Sequence, residues 1–229
     1  MLFLLRYPAD LLGVAIALLV GVVLHAVAQA AAARAFGDRL PAANGRLSLD
    51  PRRHFEPFGI IVMLISGIGW NKPVPLQEPR FRGGRSRYLM AILAGPLANL
   101  VLAVLGLVAL RLVAPGELLE ADFGATEGST LGAVLAYRFA LVNAAIGVLT
   151  LLPIPPLDGA RILWLYAPKT HGWQNARYQL EERNIGLGIV VLLSLPLFGG
   201  SGLLYRLVLS IGTAFLAPIA DALGLAAIF

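Results

Sequence analysis

Three stretches of the chain are apolar for longer than a buried soluble helix usually runs: Leu11 to Ala33, Tyr88 to Val113 and Leu131 to Leu152. Each reaches the roughly 20 residues that cross a hydrocarbon layer of about 30 Å as a helix. Arg6 before the first stretch and Ala28-Gln29-Ala30 near its end outline a cleavable signal, but Arg34 and Arg39 follow at once. That basic flank favours a retained first span. Ile185 to Phe198 is short for a crossing, and with Leu203 to Phe229 it reads as a hairpin that closes the bundle across Gly199-Gly200-Ser201-Gly202.

The segments between them differ in polarity. Arg34 to Glu56 carries five arginines against Asp38, Asp50 and Glu56, and the alternation in GRLSL at 45–49 predicts a short strand. Pro57 to Trp70 is apolar over only 14 residues, and Lys72, Arg80, Arg82, Arg85 and Arg87 follow it. With basic sequence on both flanks, a crossing would strand one basic loop on the wrong side, so this segment is expected to be re-entrant or interfacial. The prolines of KPVPLQEP keep the next stretch extended. Gly95, Pro96 and Asn99 in AGPLAN interrupt the second span and predict a close packing surface against the first. Pro115 to Ser129 holds four acids and no Lys or Arg, and reads as a loop on the opposite side. Arg161 to Arg183 is amphipathic, with His171 in a polar, exposed position.

Composition sharpens this picture. The chain has 229 residues, of which 58% are hydrophobic and 14% charged, with a mean hydropathy of +0.79. These values predict an integral, multi-pass α-helical membrane protein of one domain over residues 1–229, its basic loops cytoplasmic. The net charge of +5 sits mostly in short arginine-bearing loops, which suits lipid headgroups. No aromatic-interleaved basic surface points to nucleic acid. The absence of cysteine excludes disulfides and thiolate metal sites.

The candidate chemistry is sparse. Asp158 follows a proline-rich turn at the end of the third span, and an acid so placed is costly enough to mark a site. His25 and Gln29, four apart, share one face of the first helix, about 13 Å from Arg34. Charge bookkeeping alone brings His25 and Asp158 to the same membrane face. Alone, a histidine at that depth reads most simply as a packing residue hydrogen-bonded to a neighbouring helix.

LLPIPPLDGARIL at 151–163, GWNKPVPL at 69–76, AILAGPLANLVLA at 91–103 and GRLSLDP at 45–51 together resemble the site-2 protease family of intramembrane zinc metalloproteases, in the same order along residues 20–215. The resemblance implies a transmembrane core of that type, with a small β excursion, a re-entrant segment and a cleft beside which KPVPL lies. It also implies that a HExxH motif would supply two zinc-binding histidines and a catalytic Glu, and the later LDG a third ligand. Here the motif reads His25-Ala26-Val27-Ala28-Gln29, and Thr150 stands where an Asn is usual. The degenerate metal site is therefore His25, Gln29 and Asp158, with no catalytic residue at Ala26. No cofactor is expected, and zinc, if any, would sit on His25 and Asp158. Asn143, Thr150, Val74, Leu76 and His54 are the candidate cleft.

Losing the general base removes about 100- to 10,000-fold of rate, and Gln29 is a weak ligand where zinc normally has three good ones. The leading expectation is a catalytically inactive homologue that binds a membrane helix or partner subunit within the lipid bilayer. A second is an active metalloprotease with a remodelled metal site, to which His54 or Glu56 contributes. A third is an accessory structural subunit of a membrane complex.

Overall fold

The computed structural model describes residues 5–66, 69–114, 129–196 and 201–225. Helix α1 (Pro8–Ala35) begins with a proline at its first turn, has Asp10 there and Arg34 in its last turn, both favourable for the helix dipole. A four-residue turn of helix, α2 (Leu40–Ala43), and a short helix, α3 (Pro57–Ser66), precede the long α4 (Gly84–Val113) and α5 (Leu131–Thr150). Then come α6 (Asp158–Tyr166), α7 (His171–Glu181), α8 (Ile185–Ser194) and α9 (Leu203–Ala222). By length and composition α1, α4, α5 and α9 are long and apolar enough to cross a membrane. The chain is an α-helical polytopic membrane protein. The acidic loop expected at 115–129 lies outside the described residues except for Ser129, as do residues 197–200 of the expected hairpin turn.

Helices α1, α4 and α5 pack together where small residues let them approach, the usual device between apolar helices in lipid. A Cβ at Gly21 would come within 2.6 Å of Asn143 Oδ1, and one at Gly106 within 2.7 Å of the Ala140 backbone. Helix α9 lies against α4 and α5 through Leu216 and Ala220, in a core with Leu107, Leu110 and Tyr137. Helix α8 joins Trp70, Leu149 and Leu157 in a second core through Val190. At the far end of α1 and α5, Arg138 Nε donates to Asp10 Oδ1 at 2.6 Å, and both side chains are buried. The sequence reading passed over this pair, although Asp10 opens α1, Arg138 is the one charge within α5, and the two have opposite signs.

The segment at 57–70 returns to its own side. Phe55 and Asn71 form an antiparallel bridge, Lys72 N donates to His54 O at 2.7 Å, and the ten residues of α3 span only about 15 Å. Two chain ends tied together in this way make a re-entrant excursion. The expected β excursion reduces to that one bridge among the described residues. Gly45 in GRLSL has φ +71, and Asp50 caps a tight 3-10 turn at Pro51–Arg53, which bends the segment away from a strand. On the facing stretch Pro73 and Pro75 have no N–H to give to a ladder. The Arg46 side chain takes the free carbonyls instead, donating to Arg53 O at 2.6 Å and Pro73 O at 2.9 Å.

Candidate metal centre

Proline at position 96 leaves the carbonyl of Ile92, four residues earlier, without its helical donor. Gln29 Nε2 supplies it at 2.9 Å, and the same amide nitrogen donates to Asp158 Oδ2 at 2.9 Å. One residue thus satisfies the break in α4 and reaches the acid of the LDG turn. His25 lies one turn earlier on the same face, wholly buried. Its Nε2 is 2.8 Å from Asp158 Oδ2 and its Nδ1 2.7 Å from Asn99 Oδ1. Asn99 gives its own amide hydrogens to Gly21 O and Asn143 Oδ1, so Oδ1 is the atom left to accept from His25. His25 Nδ1 therefore donates to Asn99 Oδ1, and Nε2 meets the Asp158 carboxylate.

The ring lies flat against α4 because position 95 has no side chain. A Cβ at Gly95 would come within 2.6 Å and 2.7 Å of two ring carbons of His25. Position 159 is glycine for a related reason: a Cβ there would run into the carbonyl of Leu151, where the turn folds back over the end of α5. That fold-back places Asp158 at the first turn of α6. Burial on its own would raise the Asp158 carboxyl, but the hydrogen bond and charge of His25, the charge of Arg161 and the Gln29 amide outweigh it and hold the group below its ordinary value. Arg161 Nη1 stands 3.6 Å from Asp158 Oδ1 on the outer side.

Among the described residues there is no cluster of three or more His, Asp or Glu suited to a metal. Ala26, at the position of the missing acid, is completely buried. Gln29 Oε1 is buried without a hydrogen-bond partner.

The candidate cleft residues are placed elsewhere. Asn143 is buried and donates to Phe139 O. Thr150 turns its hydroxyl back onto Ile146 O and Gly147 O of its own helix. Val74 has no exposed surface, so a bulkier residue there reports on packing, and Leu76 packs on Ala33, Phe81 and Ala91. His54 is buried in the polar excursion, its Nε2 donating to Ser48 O at 2.7 Å. Beside Arg161 there is instead a cavity of about 630 Å³ between the re-entrant segment, the 155–157 turn and α7–α8. Glu56, Trp70, Arg161, Glu181 and Asn184 are its polar lining. Of these, only Glu56 was given a possible role from sequence; Trp70 and Arg161 lie within the segments GWNKPVPL and LLPIPPLDGARIL but were assigned none.

Three relatives bear on this geometry. The chain is 34% identical over 163 residues to "Putative zinc metalloprotease YwhC" of Bacillus subtilis, covering 69% of this chain and 71% of that protein. The chain belongs to the site-2 protease family. It is also 36% identical over 146 residues to "Putative zinc metalloprotease Rip2" of Mycobacterium tuberculosis, a match over 62% of this chain and about half of Rip2, 52%. The Rip2 of Mycolicibacterium smegmatis is 30% identical over 161 residues, 66% of this chain and 58% of that protein. No family model and no solved structure matches the chain. In this family member the HExxH positions read His25, Ala26 and Gln29.

Proposed function

We propose that this chain is a catalytically inactive site-2 protease homologue, without bound zinc, that keeps the family's membrane fold to hold a membrane helix or partner subunit. The observation that carries the reading is the direct bond between His25 Nε2 and Asp158 Oδ2 at 2.8 Å, with Gln29 donating to the same oxygen. A metal would need the lone pairs that these contacts consume. Two ligands held at about 2.0–2.2 Å from a tetrahedral zinc lie about 3.3–3.5 Å apart, farther than these two atoms. The donor set of one imidazole, one carboxylate and one amide oxygen falls short of three good ligands. Ala26 has no group to take a proton from water. The basic residues around Arg39 to Arg53 and Lys72 to Arg87 support a cytoplasmic position for this end of the bundle, by the excess of Lys and Arg that cytoplasmic loops carry.

The test is elemental analysis of protein purified under mild conditions, together with a cleavage assay against single-span membrane substrates. The expected result is zinc well below one per chain and no cleaved product. About one zinc per chain, lost in His25→Ala, would overturn the reading.

One observation favours the second reading, an active protease with a rebuilt centre. Glu56 lines the same cavity as Arg161, next to the turn that delivers Asp158. Chelator-sensitive cleavage that disappears in Glu56→Gln would establish it. His54 enters that alternative only through Nδ1, since its Nε2 is committed to Ser48 O.

A further inference from the structure

Positive charge gathers where α1 ends and α4 begins. Segments 34–39 and 78–87 carry Arg34, Arg39, Arg80, Arg82, Arg85 and Arg87 against Asp38 and Glu78, a net charge of +4 out of +5 for the whole chain. The two segments are joined: Arg82 N donates to Phe36 O at 2.8 Å, and the Arg87 guanidinium lies 4.8 Å over the Phe36 ring. All six arginines are exposed. The two acids do little to offset them. Asp38 is completely buried, its carboxylate accepting from the backbone N–H groups of Leu40 and Gln77. Glu78 meets Arg85 at 3.3 Å in an exposed pair, which holds either partner only weakly.

Two of the arginines are set in place by packing. A Cβ at Gly37 would come within 2.8 Å of Arg82 Cγ, and one at Gly83 within 2.9 Å of Arg87 Cγ. Both glycines have the positive φ that side chains disfavour, +107 and +101. The two stems therefore lie close against backbone while the residues stay exposed. Neither guanidinium has a hydrogen bond or an ion pair among the described residues. Their N–H donors are thus fixed in position and left for something outside the chain.

The level of the patch follows from the spans. Arg34 closes the apolar run Leu11 to Ala33, and Arg87 precedes the run Tyr88 to Leu110. Both helices are long and apolar enough to cross a membrane, so both arginines stand at the edge of the hydrocarbon. Phe36, Phe81 and Tyr88 pack together there on Ala33 and Ala91, and aromatic side chains of this kind gather at headgroup level. The anions that a bilayer presents at that level are lipid phosphates.

We propose that this arginine patch is a binding surface for the headgroup phosphate of an anionic phospholipid, with Arg82 and Arg87 as its fixed donors. Arginine matches phosphate geometry through paired N–H groups. A choline headgroup brings the same phosphate together with a cation that the patch repels, whereas a glycerol headgroup brings the phosphate alone. The proposal holds whether or not the chain cleaves peptides.

The full chain in detergent is mixed with equal amounts of dioleoyl phosphatidylglycerol and phosphatidylcholine, and the retained lipid is read by native mass spectrometry. Preferential retention of phosphatidylglycerol is expected. A basic residue at an anionic surface contributes about 1 kcal/mol, or about fivefold, so Arg82→Gln should lower the preference about fivefold and the pair Arg82→Gln with Arg87→Gln about 25-fold. Arg82→Lys with Arg87→Lys keeps the charges and should keep most of the preference. A loss as large as that of the glutamine pair would assign the effect to packing and overturn the proposal. Arg183→Gln removes an exposed cation just after α7 and should change nothing. An equal fall in that variant would mean that lipid follows net charge alone, and the patch would not be a site. Inorganic phosphate in millimolar excess should not displace the lipid; displacement would make this a site for soluble phosphate instead. Equal retention of the two lipids by the wild-type chain also overturns the proposal, and would leave an acidic protein segment as the complement of the patch.

Discussion

At position 95 the absence of a side chain is what admits the His25 ring between α1 and α4. Gly95→Ala would drive a methyl group to within 2.6 Å of the imidazole, which can escape only by giving up Asn99 or Asp158. The expected cost is about 1–3 kcal/mol, seen as a lowered unfolding temperature. His25→Ala in the Gly95→Ala background should recover part of it, because the clash is removed with the ring. Additive losses in that double mutant would mean that the two residues do not meet. His54 offers a second residue-level prediction. Burial is the main cause that lowers its pKa below the ordinary 6.5, and its Nδ1 is buried without a partner. The unfolded chain therefore takes up a proton that the folded excursion refuses. Stability is full above about 6.5 and declines as pH falls from there toward the lower folded value. Thermal unfolding compared between about pH 7.5 and about pH 5.5 should show this decline, and His54→Gln should lessen it. An unchanged decline in the variant would assign it to another group.

At the scale of elements, the spans were legible because a membrane leaves little choice: about twenty predominantly apolar residues must satisfy their backbone internally, and a helix does so. Leu11 to Ala33, Tyr88 to Val113 and Leu131 to Leu152 reappear as α1, α4 and α5 with ends shifted by a few residues. The strand in GRLSL was not legible. Alternation records which side chains could share a face, but a strand also needs a neighbour with free N–H groups, and the facing KPVP withholds them. The return of 57–70 was read from its basic flanks and is now tied by the Phe55–Asn71 bridge. The chain has no cysteine, so single cysteines near 50 and near 82 provide a clean topology test. Both should label from the same side of sealed vesicles. Labelling from opposite sides would mean that α3 crosses. The Asp10–Arg138 pair between α1 and α5 was missed because each span was read for its apolar run and neither charge was weighed. Arg138→Met should cost about 3–5 kcal/mol by removing the cation paired with the buried Asp10 carboxylate. The double change Asp10→Leu with Arg138→Met should cost much less, and a double variant as unstable as the single one would show that the ion pair itself is required.

Across the whole molecule, the helices still converge on the point where a metal would sit, although two of the motif's positions have changed. His25 and Gln29 both reach Asp158 Oδ2, from a helix fixed against α4 by Gly95 and against α5 by Gly21. The scaffold sets where these side chains meet, and the residue types at 26 and 29 set what can happen there. Gln29 is suited to the hydrogen-bonded state because its amide serves Ile92 O and Asp158 together. A histidine at 29 can keep the first of these duties with one ring N–H and offer the other nitrogen as a ligand, the arrangement by which outer partners orient metal-bound histidines. Gln29→His is therefore expected to bind about one zinc per chain, which elemental analysis and a metal-dependent rise in unfolding temperature would both register. Ala26→Glu alone should not, since it adds a base but leaves only two good ligands, and it places a carboxylate at a completely buried position. The two changes together should bind zinc and are the minimum in which cleavage is worth assaying, because metal and base must act in one step. If Gln29→His folds as stably as the parent yet takes up no zinc, the three elements do not hold ligand geometry. The inactivity proposed for this chain would then lie in its scaffold as much as in residues 26 and 29.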